Sequence, residues 1–186
     1  MTILHWGFLL GLPLVIFGAV IFVMPEKAKL LIDNFENSRL AAAVITVFAW
    51  FWTAWECHII GIDVFDMFLK RIPGQLWIMA AVLSYLTIIW MPKNLSVRAL
   101  AGVFMLIPAE LFKVTRFLLP EGGLALCHIF VVYAYILAVI GMYGMFYPWK
   151  IETALERISS RYMIFRLFGC VLFVAGVALI SAGCVL

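Results

Sequence analysis

The sequence predicts an all-α integral membrane protein, a six-span helical bundle with one or two interfacial amphipathic helices. Three observations predict it. Of the 186 residues, 67% are hydrophobic and only 12% charged, against about 45–50% apolar and about 25% charged in soluble domains. The apolar residues fall in continuous runs near the length of about 20 that a spanning helix needs. The charges gather mostly between those runs. Such a chain cannot clothe itself in water, and it is too apolar to be disordered. This composition excludes a cytosolic globular enzyme and a disulfide-stapled secreted module. The continuous runs also argue against barrel strands, which alternate apolar and polar residues over roughly 10 positions.

The first run covers residues 3–24. No Lys or Arg precedes it and Lys27 and Lys29 follow soon after, the reverse of a signal peptide, so it is expected to remain a span. Gly7 and Gly11 give it a GxxxG pattern, and Pro13 opens one backbone bond. Pro25–Asn37 follows, with Leu31 and Phe35 four apart on one face of a short amphipathic helix. The second run, 40–62, aligns Thr46, Thr53 and Glu56 on one face. Its aromatics Trp50, Phe51, Trp52 and Trp55 lie too deep to be only an interfacial belt, so they fill the bundle core or face lipid. The third run is 75–91. The fourth, 99–119, contains Pro108, which cannot donate to the Phe104 carbonyl and should kink the helix.

The fifth run is 124–147. Between it and the last run, residues 149–162 place Ile151, Leu155, Ile158 and Tyr162 on one face. Lys150, Glu152, Glu156, Arg157 and Arg161 point elsewhere, as in a helix lying among lipid headgroups. The sixth run, 167–185, repeats Gly169, Gly176 and Gly183 every seven residues, one smooth face for close helix packing. That face suits packing within the bundle or between copies of the chain. The six runs occupy nearly the whole chain and leave a single polytopic domain, 1–186.

Lys and Arg orient the bundle. The first, third and fifth connections, with their flanks, carry nine of the 13, and the other side carries four: Lys70, Arg71, Lys113 and Arg116. The odd connections are therefore expected inside and both termini outside, in a plasma or bacterial inner membrane. The net charge of +3 reflects this bias and gives no reason to expect nucleic acid. Cys57-His58-Ile59 and Cys127-His128-Ile129 match across two runs, a slender basis for a three-plus-three repeat.

Polar groups at membrane depth are the informative ones, since each costs about 2.5–3.5 kcal/mol at a span's centre on insertion scales. At about 1.5 Å per residue, Glu56 lies near the outer end of its span and Glu110 just past the midplane. Lys113 and Arg116 follow at steps of three, so Glu110, Lys113 and Arg116 share one helix face. Glu110 and Lys113 read as a local ion pair with Arg116 snorkelling outward. Alternatively Glu56, Glu110 and Lys113 line a proton, ion or small-solute site.

His5, His58 and His128 all fall toward the outer side, where His58 and His128 are candidate polar or ligand neighbours. Neighbouring Cys57 and His58 point about 100° apart and cannot easily share one ligand. No His-x3-His, HExxH or Cys-x-x-Cys spacing exists. No metal is expected, and no cofactor; haem is the remaining alternative. The cysteines read as buried inert thiols. Asn94-Leu95-Ser96 fits a glycosylation sequon but falls on the expected inner face, and the cysteine box at Cys184 stands at the wrong end for lipidation. No phosphate loop, dinucleotide fingerprint or nucleophile elbow is present.

The first functional expectation is a non-enzymatic assembly or accessory subunit of a membrane complex or homo-oligomer. Its partners would be membrane lipids and other membrane subunits or copies of itself. The alternative is a small transporter or channel for protons, ions or a small solute, built on Glu56, Glu110 and Lys113.

Overall fold

The computed structural model describes residues 3–60, 75–90, 94–118 and 124–185. The described residues form eight helices: α1 (Ile3–Val23), α2 (Pro25–Asn37), α3 (Arg39–Ile60), α4 (Gln75–Trp90), α5 (Leu95–Leu118), α6 (Leu124–Phe146), α7 (Pro148–Ser160) and α8 (Tyr162–Val185). Five of them, α1, α3, α5, α6 and α8, are long and apolar enough to cross a membrane. The sixth expected span is the shorter α4, whose 16 residues reach about 24 Å at 1.5 Å per residue, short of a hydrocarbon core of about 30 Å. The expected run ends at Ile62, Met91 and Leu119 lie outside the described residues, as do Lys70, Arg71 and Lys93.

Proline sets the corners. Pro25 and Pro148 stand first in α2 and α7, where a missing N–H costs nothing. Each forces the residue before it out of helical geometry: Met24 takes φ −132°, ψ 65° and Tyr147 φ −129°, ψ 55°. Their own N–H groups still close the preceding helix, Met24 onto the Val20 carbonyl and Tyr147 onto that of Tyr143, both at 2.8 Å. Thirteen residues later the chain turns again through single extended residues, Ser38 and Arg161. The units α1–α2–α3 and α6–α7–α8 are therefore built alike. A three-plus-three repeat would put the counterpart of α2 between α5 and α6, whereas α7 follows α6. The Cys-His-Ile match marks no such repeat.

Helices α1 and α8 run antiparallel with the most extensive interface among the described helices. A Cβ on Gly11 would stand 2.7 Å from the Gly176 carbonyl oxygen, and one on Gly176 the same distance from that of Gly11. Gly18 lies against Gly169 in the same way, and Gly7 and Gly183 approach through their Cα atoms, a Cβ on either standing 3.1 Å from the other's Cα. Both small-residue seams are thus occupied by each other. Helix α5 lies between α3 and α6, with Gly141 of α6 against the Ala101 carbonyl, and α4 packs chiefly on α3. The main core joins Trp6 of α1, Ile107 and Leu111 of α5, Phe130 and Ala134 of α6 and Leu179 of α8. Lipid tails are as apolar as these side chains, so in a membrane close packing rather than exclusion from water would hold such a core together.

A second small core joins Ile21, Ala28 and Phe165, flanked by Ile32 and Ile158. It seats α2 and α7 together at one end of the bundle. Helix α5 begins at that end too: the Ser96 hydroxyl donates to the Glu36 carbonyl at 2.9 Å. The first, third and fifth connections therefore share one end, here called the amphipathic end.

Candidate functional site

At the opposite end, α3 and α5 bring three charged side chains together. Along α3, Glu56 stands 17 residues beyond Arg39, about 26 Å at helical rise. Lys113 Nζ donates to Glu56 Oε2 across the helix pair and to Glu110 Oε1 at 2.8 Å within α5. The indole N–H of Trp52, one turn before Glu56, donates to the second oxygen, Oε1, at 3.4 Å. Glu56 is buried, while the side chains of Glu110 and Lys113 are 23% and 36% exposed. One ammonium facing two carboxylates leaves a net charge of −1 when both are ionised. A single proton or monovalent cation brings the group to neutrality, which is what a low-dielectric setting favours.

Other expected neighbours are placed differently. Thr46 and Thr53 turn their hydroxyls onto the Ala42 and Ala49 carbonyls of their own helix, both at 2.8 Å. Arg116 is exposed and makes no ion pair among the described residues. His5 and His58 are exposed. His128 borders an apolar groove of about 350 Å³ between α6 and α8, lined by Val132, Ile136, Ala175 and Leu179 among others. Among the described residues no group of three or more His, Cys, Asp or Glu stands close enough to hold a metal. The four cysteines are free.

The aromatics of α3 divide their work. Trp52 serves the cluster, Trp50 donates to Thr87 Oγ1 of α4 at 3.1 Å, and Phe51 and Trp55 meet Trp77 with ring centres 5.7 and 6.4 Å apart. Helix α4 is thus tied to α3 by one hydrogen bond within an aromatic patch.

Several residues carried no readable signal. Ser96 is buried and caps a carbonyl of α2. The indole N–H of Trp6 is buried in the main core with no acceptor among the described residues. Arg166, at the start of α8, lies against the rings of Tyr162 and Phe22. Helical spacing could have flagged the Tyr162 contact, four residues back, but not Phe22.

No family model, curated protein or solved structure matches this chain.

Proposed function

We propose that the chain is a non-enzymatic six-span membrane protein that acts as an assembly or accessory subunit. The observation that carries this reading is the placement of α4. It is held chiefly by α3 and turns Ile78, Met79, Val82, Tyr85 and Ile89 outward as one broad apolar surface. The small-residue faces of α1 and α8 are consumed by each other, so a partner would engage α4 and α3 instead. In this reading α4 completes the sixth span, the amphipathic end faces the cytoplasm, and both termini lie outside. The bias of Lys and Arg toward that end supports the orientation. Extraction from membranes in a lipid-preserving polymer, followed by native mass measurement, tests the reading. A particle containing more than one 21.0-kDa chain, or this chain with others, is expected, and cysteine crosslinking from position 78 should capture it. A uniform monomer at every concentration overturns it.

A second reading has a specific observation behind it: two carboxylates share one ammonium on α3 and α5, at the end opposite the amphipathic helices. We infer from this a site for a proton or small cation exchanging with the outer aqueous phase. Proteoliposomes separate the readings. Glu110→Gln keeps the shape and removes the charge, so it should fold normally and abolish any proton or cation flux. Equal flux from wild type, variant and empty vesicles rejects transport.

A further inference from the structure

Arg166 differs from the lysine of the α3–α5 cluster in having no counter-ion among the described residues. It stands four residues into α8, about 6 Å from the helix start at helical rise, and is half-buried. Its guanidinium carbon lies 4.7 Å from the Tyr162 ring centre and 5.7 Å from that of Phe22. Phe22 is the penultimate residue of α1, so the two rings come from helices that meet at the amphipathic end. The Arg166 Nε is buried and has no hydrogen-bond acceptor among the described residues. Both ion pairs among those residues belong to Lys113.

A guanidinium is always charged, and burying its donors without acceptors is costly. Ring contacts satisfy the faces of the planar group but leave its in-plane donors, the buried Nε–H among them, without an acceptor among the described residues. Their natural acceptor is a planar pair of oxygens, from carboxylate or phosphate, gripped by two parallel bonds. The described residues place no carboxylate within ion-pairing distance of Arg166. The surrounding medium at that depth supplies phosphate, because α2 and α7 flank the site and mark the headgroup layer.

We propose that Arg166, held between Phe22 and Tyr162, binds the phosphodiester of an anionic phospholipid. The lipid's acyl chains lie along the exposed apolar surface of α1 and α8, and the amphipathic helices close the headgroup side.

The test uses the full chain in nanodiscs of phosphatidylglycerol mixed with phosphatidylcholine, with retained lipid counted by native mass spectrometry. Wild type should retain phosphatidylglycerol over phosphatidylcholine, and Arg166→Ala should lower that preference about five-fold, the share of one interfacial basic residue. Arg166→Lys should keep part of it, as a charge without the planar fork. The comparison variant is Arg157→Ala on the exposed side of α7, expected to lower retention clearly less than Arg166→Ala does. Equal losses from Arg157→Ala and Arg166→Ala indicate a diffuse basic surface and overturn the site. So does unchanged retention in Arg166→Ala. Inorganic phosphate at millimolar concentration should not displace the lipid; displacement would mean a free-anion site and overturn the lipid assignment. Should Arg166→Ala fail to fold, Arg166→Gln takes its place with the same readout.

Discussion

Lys113 is the residue on which most depends, because it serves two carboxylates from two helices. Replacing it with Ala strands Glu56, whose burial gives the charge no access to water. Breaking a buried pair typically costs about 3–5 kcal/mol, and the 36% exposure of Lys113 places the loss near the lower figure, about 3 kcal/mol. Glu110→Gln leaves one ammonium facing one carboxylate and should change stability by no more than about 1 kcal/mol. The double change should cost less than Lys113→Ala alone, since it also removes the second carboxylate that would face the stranded Glu56. Thermal melting in detergent checks the order; equal midpoints for all variants would mean the cluster carries no structural load. Half of this site was legible in the sequence. The spacing of three puts Glu110 and Lys113 on one face, and depth groups Glu56 with them as an alternative, but that α3 and α5 are neighbours is encoded by no local pattern. Asn94 belongs to the same scale. It enters α5 with φ 57°, a left-handed conformation that asparagine tolerates and β-branched residues do not. Asn94→Gly should be neutral within about 0.5 kcal/mol, whereas Asn94→Val should cost about 1–2 kcal/mol. Melting of the pair side by side tests the backbone rather than the side chain.

Helix pairing is where glycine acts. Any Cβ at Gly11 or Gly176 meets the partner's carbonyl oxygen at 2.7 Å, so α1 and α8 must separate to admit one. Gly176→Ala is expected to cost about 1–3 kcal/mol through that overpacking. Gly102 is the internal comparison: its nearest neighbour is the Ala49 Cβ at 3.8 Å, ordinary contact. Gly102→Ala should therefore be neutral or stabilising by up to about 1 kcal/mol, from the better helix propensity of alanine. If both alanines melt alike, the seam is not the tight interface its geometry describes. The seven-residue glycine spacing of α8 and the GxxxG of α1 announced two smooth faces, but nothing in either pattern named the other as its partner. The amphipathic helices were legible almost to the residue, because proline, a polar stripe and an apolar stripe coincide there. Their shared place at one end was not, since Ile21, Ala28 and Phe165 come from distant parts of the chain.

At the scale of the whole molecule, the chain folds back so that α2 and α7 meet, and their acidic residues meet with them. Burial raises the Glu36 carboxyl above its ordinary 4.5, with Glu156 and Asp33 adding repulsion. Burial likewise raises Glu152, with Glu36 and Glu156 adding to it. A raised carboxyl means the folded state holds its proton more tightly than the unfolded state does. Below the ordinary value both states are protonated and the fold bears no penalty. As pH climbs from about 4.5 through the raised values, the folded protein must ionise these groups against burial and each other, and stability falls across that window. Above it the loss is constant. These groups therefore favour the fold in mild acid, the opposite of carboxylates held in ion pairs. Glu36→Gln removes the charge common to both clusters while leaving intact the backbone carbonyl that Ser96 caps. It should raise the melting midpoint at about pH 7, leave it nearly unchanged at about pH 4, and flatten the profile between. Parallel profiles for wild type and variant across that range would show that α2 and α7 do not press these charges together.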